Sequence, residues 1–364
     1  MSPAIPAKHI PSLPYTSSAT RLQTLDIWLP EPQSQDTDSS SAPALWIVYI
    51  HGGAWRDPTQ DSHQLDTTLT HLFASHPQAL PHIAGIASLT YRLSPYPTHA
   101  TPPSTPDDAS RNARHPQHVR DILSGIRYLQ REHGMQRWIG VGHSCGATRL
   151  MQLVSGIGLD KEEEEKKKKK KKKKAPTEGG GGGEEEVEVE VEVEVEVGPE
   201  ALILLAGIYN IPLMLRNHAP PACPEDISNI YKTFVKGAFG VDEEKEEKEE
   251  KEEEEEEEEE EEYIKVSPVT GKYDTQQWPE GRLLVICHSY QDELVERAQR
   301  DVMCVALDRQ GWSIVMEVGD EEDEVRAEGR RVLNVRDLRG THDWAWEDGR
   351  QIAALMAEAV GRLV

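Results

Sequence analysis

Four stretches of the 364-residue sequence hold side chains that acyl transfer uses. Ser144 stands between Gly142 and Gly146 in "VGHSCGATRL" (residues 141–150). His51 and two glycines follow an apolar run in "IHGGAWRDP" (50–58). Asp292 closes another apolar run in "RLLVICHSYQDELV" (282–295), and His342 lies in "LRGTHDWAWEDGR" (338–350). A serine hydroxyl is a weak nucleophile by itself. It becomes useful when a histidine takes its proton and a carboxylate fixes that histidine's tautomer. Charge developing on the attacked carbonyl oxygen must also meet N–H donors, for which the amides of Gly53, Ala54 and Cys145 are the candidates. The chain order Ser144, Asp292, His342 is one that serves this geometry. Glu293 is the rival acid, but it reads as the opening residue of a helix, where the dipole favours a carboxylate.

Gly-x-Ser-x-Gly alone also describes a glycine-flanked turn whose serine caps a helix. The setting separates the two readings. "WIGVGHS" (138–144) is a buried strand running straight into the serine, and "CGATRLMQLVSGIG" (145–158) starts a helix straight after it. Further strands read at 25–30, 44–53, 85–95, 201–210 and 282–290, mostly as continuous apolar runs suited to a parallel sheet covered on both faces. Val119, Ile122, Ile126 and Leu129 share one face of a helix over 118–134 that stops at Gly134. Helices are expected again at 293–310 and 347–363. The alternation predicts an α/β fold, a doubly wound and mostly parallel sheet.

Charge is very unevenly spread. Residues 161–197 and 242–262 together hold 13 of the 40 basic and 31 of the 65 acidic residues, leaving 27 and 34 elsewhere. The remainder carries −7 of the −25 total, with no basic face to suggest nucleic acid or an anionic membrane. Residues 1–364 therefore read as a single domain, interrupted by a charged low-complexity insert at 160–198 and an acidic one at 242–262. Both are too polar to build a core. The strict Val/Glu alternation at 187–197 reads as part of a solvated arm rather than a sheet edge, and 319–331 as a smaller acidic expansion. Cys145, Cys223, Cys287 and Cys304 make no metal-binding spacing, and no metal or cofactor is called for. The N-terminal stretch has no uninterrupted apolar segment of signal-peptide type, so a soluble cytoplasmic protein is expected.

"HGGAWRDP", "GHSCGA", "HSYQDELV" and "THDWAWEDGR" together resemble the kynurenine formamidases (arylformamidases) of the α/β-hydrolase fold, in which the HGGxW form is characteristic. The resemblance runs from about Leu25 to the C-terminus and omits the charged inserts. It implies hydrolysis of N-formyl-L-kynurenine to L-kynurenine and formate, the second step of tryptophan breakdown toward NAD, and a homodimer. Ser144 matches the nucleophile, Asp292 the acid and His342 the base; within His51, Gly52, Gly53, Ala54 and Trp55, the amides of Gly53 and Ala54 match the oxyanion donors. Trp55, Trp344 and Trp346 flank the expected site as candidates to stack on an aromatic ring, with packing under the loops favoured for Trp346. Arg56 and Arg92 are candidates for a substrate carboxylate. The alternatives are a broad carboxylesterase on the same fold, a catalytically silent relative, and a charged interaction module built on the inserts.

Overall fold

The computed structural model describes residues 7–30, 43–159, 197–240, 252–315 and 330–364. The alternating stretch 187–196, nearly all of the 160–198 insert, and residues 319–329 of the third acidic stretch lie outside the described residues. The strands are β1 (Ala7–Pro14), β2 (Thr24–Pro30), β3 (Leu45–Ile50), β4 (Ile83–Leu89), β5 (Trp138–His143), β6 (Ala201–Leu205), β7 (Leu283–Ser289), β8 (Ser313–Val315) and β9 (Val332–Leu338). They form one sheet in the order β1-β2-β4-β3-β5-β6-β7-β9-β8. β1, β2 and β4 pair antiparallel, and every other neighbouring pair is parallel. The doubly wound, mostly parallel sheet expected from the sequence is therefore present.

The period-two geometry of a strand divides its side chains between two cores. Trp46, Val48 and Ile50 of β3, with Leu202 and Leu204 of β6, enter the core on one face. Leu45, Ile47 and Tyr49, with Ala201, Ile203 and Leu205, enter the other. The first face is covered by α2 (Gln117–His133), α3 (Cys145–Ser155) and α7 (Ala298–Asp308); the second by α1 (Asp66–Ser75) and α9 (Arg350–Leu363). Fully burying an aliphatic side chain is worth about 1.5–3 kcal/mol. That exceeds the roughly 1–2 kcal/mol needed to fix one residue's backbone, so strands buried on both faces hold the fold. α2 follows its sequence reading: Val119, Ile122, Ile126 and Leu129 are buried, and Gly134 caps it at φ 64°.

A third apolar cluster forms a cap. It draws on α4 (Ile211–Asn217), α5 (Glu225–Phe239) and α6 (Glu252–Val266), and it meets Trp55, Cys145 and Val295. α6 departs from the sequence reading, because residues 252–262 fall in the stretch read as an acidic low-complexity insert and are helical here. The helix gains tertiary support where Tyr263 is buried and Arg216 of α4 pairs with Glu260. Two further expectations shift. The helix expected from 293 begins at Ala298, and that expected from 347 begins at Arg350, after the short α8 (Trp344–Asp348). The N-terminal stretch, to which the sequence reading gives no element, supplies the edge strand β1, where its prolines are tolerated.

Candidate active site

β5 delivers Ser144 at a turn that ordinary residues avoid. Its backbone sits at φ 53° and ψ −126°, and α3 begins at the next residue. A backbone in such a region costs about 1–3 kcal/mol and persists only where its surroundings enforce it. Enforcement comes from the Ser144 N–H, which donates to the Leu205 carbonyl at 2.8 Å. It also comes from the flanking glycines, which let chains approach closely. A Cβ on Gly146 would stand 2.2 Å from the Ile50 carbonyl oxygen, and one on Gly142 would stand 2.7 Å from the Ala147 nitrogen. The spacing of the motif is thus a packing requirement that leaves the serine side chain at the strand's C-terminal end, lining a cavity.

Asp292 and His342 come together from loops after β7 and β9. His342 Nδ1 lies 3.0 and 2.9 Å from the two carboxylate oxygens. Asp292 Oδ1 also accepts the amides of Leu294 and Val295, at 3.0 and 2.9 Å. Burial pushes this carboxyl upward, but the His342 hydrogen bond and charge, with the Val295 amide, outweigh it and hold Asp292 below the usual carboxylate range. A carboxylate acceptor at Nδ1 favours the tautomer that carries its proton there and leaves the Nε2 lone pair open, on a residue lining the same cavity as Ser144. Glu293 does not open a helix as expected. It lies ahead of α7, and its Oε2 accepts the backbone amide of His342 at 3.0 Å, so it holds the loop while Asp292 holds the ring. On the opposite side, His143 Nε2 lies 3.0 Å from the His342 carbonyl and donates to it. Burial, then the neighbouring His342, pushes His143 down to about 4 and keeps it neutral.

The "HGGAW" loop is folded by buried contacts. The Tyr91 hydroxyl donates toward the carbonyls of His51 and Gly52, at 2.8 and 3.0 Å, and the His51 ring stacks on it. Gly53, Ala54 and Trp55 then run through φ 99°, 46° and 62°. Arg56 N–H and Asp57 N–H both return to the Gly53 carbonyl at 2.9 Å, closing the turn. Trp55 N–H donates to Cys145 Sγ at 3.3 Å, and the Arg149 guanidinium reaches the same sulfur at 3.4 Å, so the loop is tied to the first residue of α3. Among the described residues no acceptor meets the amides of Gly53, Ala54 or Cys145. The first two belong to residues lining the cavity, and the third follows Ser144 at a helix N-terminus.

The cavity occupies about 240 Å³. Ile208, Met214, Tyr231, Phe234 and Leu294 make its apolar wall, and the Tyr231 hydroxyl ties α5 to the Leu294 carbonyl at 2.6 Å. None of the three candidate tryptophans is part of its lining, which for Trp346 accords with the packing role favoured from the sequence. Trp55 is buried beneath it, 6.0 Å from the Phe234 ring; Trp344 is 45% exposed; Trp346 donates to Asp343 at 3.0 Å. The aromatic lining is Tyr96, Tyr231 and Phe234, which no motif or period had marked. The two arginines separate as well. Arg92 is committed to Asp121 through two guanidinium bonds, whereas Arg56 lines the cavity. Donor atoms of His143, His342 and Asp343 fall within 4.8 Å of one another, but one ring nitrogen of each histidine and one oxygen of Asp343 are already engaged as described.

Comparisons with known proteins bear on the family and the fold. No protein-family model matches the chain. A kynurenine formamidase-like hydrolase of Fusarium equiseti is 30% identical over 362 residues, covering 98% of this chain and 96% of the relative. A kynurenine formamidase of Aspergillus versicolor is 35% identical over 140 residues, covering 38% and 44%. Among solved structures, a carbohydrate esterase from gut microbiota superposes with a TM-score of 0.54 at 14% identity, over 99% of each chain. At that identity the likeness establishes the fold alone.

Proposed function

The chain belongs to the kynurenine formamidase-like hydrolases of the α/β-hydrolase fold, and from that premise we propose that it cleaves N-formyl-L-kynurenine to L-kynurenine and formate, with Ser144 as nucleophile. The observation that carries the reading is the pairing of His342 Nδ1 with the buried, ionised Asp292, on a histidine that shares its cavity with Ser144 and with Gly53 and Ala54, whose amides are unpaired. His342 Nε2 takes the proton of Ser144 Oγ as the oxygen attacks the formyl carbon. The imidazolium is stabilised by Asp292, which stays ionised. The tetrahedral oxyanion is met by the amides of Gly53, Ala54 and Cys145, donors of a kind worth about 2.7–4 kcal/mol each. His342 then returns the proton to the aniline nitrogen and the C–N bond breaks, leaving a formyl ester on Ser144. Water, deprotonated by His342, attacks that ester and releases formate. An aniline is a weaker base than an alkylamine, so a single imidazolium suffices to expel it.

Steady-state hydrolysis of N-formyl-L-kynurenine, run beside p-nitrophenyl acetate on the wild type and Ser144→Ala, tests the proposal. Formamide turnover well above ester turnover, lost in the variant, is expected. Ester turnover alone would keep the nucleophile and discard the substrate. Activity surviving in Ser144→Ala would discard the nucleophile.

A further inference from the structure

We propose that Arg56 is the specificity residue of this cavity, and that it selects substrates whose leaving amine carries a carboxylate. Arg56 is only 7% exposed, yet it lines the same cavity as Ser144 and His342. Among the described residues its guanidinium meets no carboxylate or other hydrogen-bond acceptor; only its backbone N–H is engaged, by Gly53. The neighbouring Asp57 is turned elsewhere, its Oδ1 accepting the amide and hydroxyl of Thr59 at 2.9 and 2.7 Å. Two other buried guanidiniums meet oxygen, Arg300 at Asp337 (2.7 Å) and Arg331 at the Gly281 carbonyl (2.8 Å), while Arg149, sealed behind Trp55 and Tyr91 and absent from the cavity lining, meets only Cys145 Sγ. A buried charge is costly unless an opposite charge and hydrogen bonds compensate it. Arg56 is therefore the guanidinium that lines the cavity, held there without an ion pair or side-chain hydrogen bond among the described residues, and Asp57 acts on it only through space.

The way the group is held identifies the class of anion. The guanidinium carbon lies 4.0 Å from the Tyr96 ring centre and 5.7 Å from that of Phe234. Contact over an aromatic face steadies the cation without using its in-plane N–H donors. Those donors form a fork that matches a planar carboxylate in two parallel hydrogen bonds. A formyl group has no room for an anion on the acyl side. If the cavity processes a formamide, as proposed above, the carboxylate belongs to the amine half, as it does in an amino-acid-bearing aniline.

This inference rests on the formamidase reading for which half carries the charge, and its test separates the two. Turnover of N-formyl-L-kynurenine is compared with that of its carboxyl methyl ester, which keeps every contact except the charge. In the wild type the acid is expected to be favoured by about ten- to a hundredfold in kcat/KM, mostly through KM, the scale of a charge-assisted pair. In Arg56→Gln the ratio should fall close to one, with Arg56→Lys in between. A wild type that treats acid and ester alike overturns the proposal without any variant. So does an Arg56→Gln that loses both substrates equally, the mark of a structural role. If neither formamide is turned over, the proposed reaction fails, but Arg56 is still read through inhibition of p-nitrophenyl acetate hydrolysis. L-kynurenine should then inhibit at least tenfold more tightly than its methyl ester in the wild type and equally in Arg56→Gln; equal inhibition in the wild type refutes the assignment.

Discussion

The two walls of the cavity are built on different principles. One wall consists of strand ends and tight loops: Ser144 after β5, the Gly53–Ala54–Trp55 run after β3, and the Asp292 and His342 loops. It contains backbone at positive φ in five residues, Gly53, Ala54, Trp55, Ser144 and Gly340, and a dense set of hydrogen bonds, many to backbone amides and carbonyls. The facing wall, from α4 and α5, consists of Met214, Ile230, Tyr231 and Phe234, with the Tyr231 hydroxyl as a polar tie. Reacting atoms must be positioned closely, because small misplacements forfeit much of the rate. Apolar contacts with a substrate ring are non-directional and tolerate exchange. On the proposed function, chemistry would be held by backbone geometry and selection by replaceable side chains, with Arg56 at the junction of the two.

That contrast is sharpest at the acid. Asp292→Asn should lower kcat about 10⁴-fold on any substrate, since the amide disfavours the tautomer the base requires. Glu293→Gln, next door, should cost roughly tenfold or less, because an amide oxygen can still accept the His342 N–H. Equal losses in the two variants would erase the distinction between ring holder and loop holder. Gly146→Ala drives a Cβ to 2.2 Å from the Ile50 carbonyl, so stability should fall by about 3 kcal/mol or more, measured by urea unfolding. A folded, active Gly146→Ala enzyme would show that the rigid wall yields more than its packing indicates.

Acid should weaken the same wall. Burial, then Arg149 for His51 and His342 for His143, pushes these rings down to about 3 and about 4. Unfolded histidines accept protons near 6.5 that these folded ones refuse, so full stability is present above that pH and is lost as pH falls toward 4. The slope should amount to about 3 kcal/mol per ring across the window, and His143→Gln should flatten it. Unfolding midpoints that do not change between pH 7 and 4.5 would contradict the neutral assignment. The smallest effect belongs to the helical wall. Phe234→Leu should raise KM a few-fold, leave kcat within about twofold, and cost about 1 kcal/mol of stability. A large fall in kcat would mean that the cap also positions the reacting atoms.

Particular residues show how far the sequence reached. Ser144 was legible because a buried strand, two glycines and a helix start are consecutive, and their steric conditions act within a few residues. Asp292 and His342 were legible from chain order and their places after apolar runs, and the fold brings them to 2.9 Å across a separation of 50 residues. Trp55, a candidate from the sequence to stack on a substrate ring, is instead buried outside the cavity lining. Its positive φ and the Cys145 tie turn the indole into the cap core, and neither leaves a trace in composition. The Glu run of the acidic insert forms the start of α6, since a helix can be completed by the packing of its last turn whatever its polar beginning.

By itself, then, the sequence determined the strand–helix alternation, the turn at Ser144 and the identity of the residues that converge on it. These follow from periodicity and local sterics, which extend only over neighbouring residues. The tertiary structure decided which aromatic rings line the cavity, which of two arginines is spent on a carboxylate and which is left facing the reaction site, and what role Glu293 takes. Each of those depends on side chains arriving from distant segments, and burial or pairing is a property of the neighbours that fold supplies.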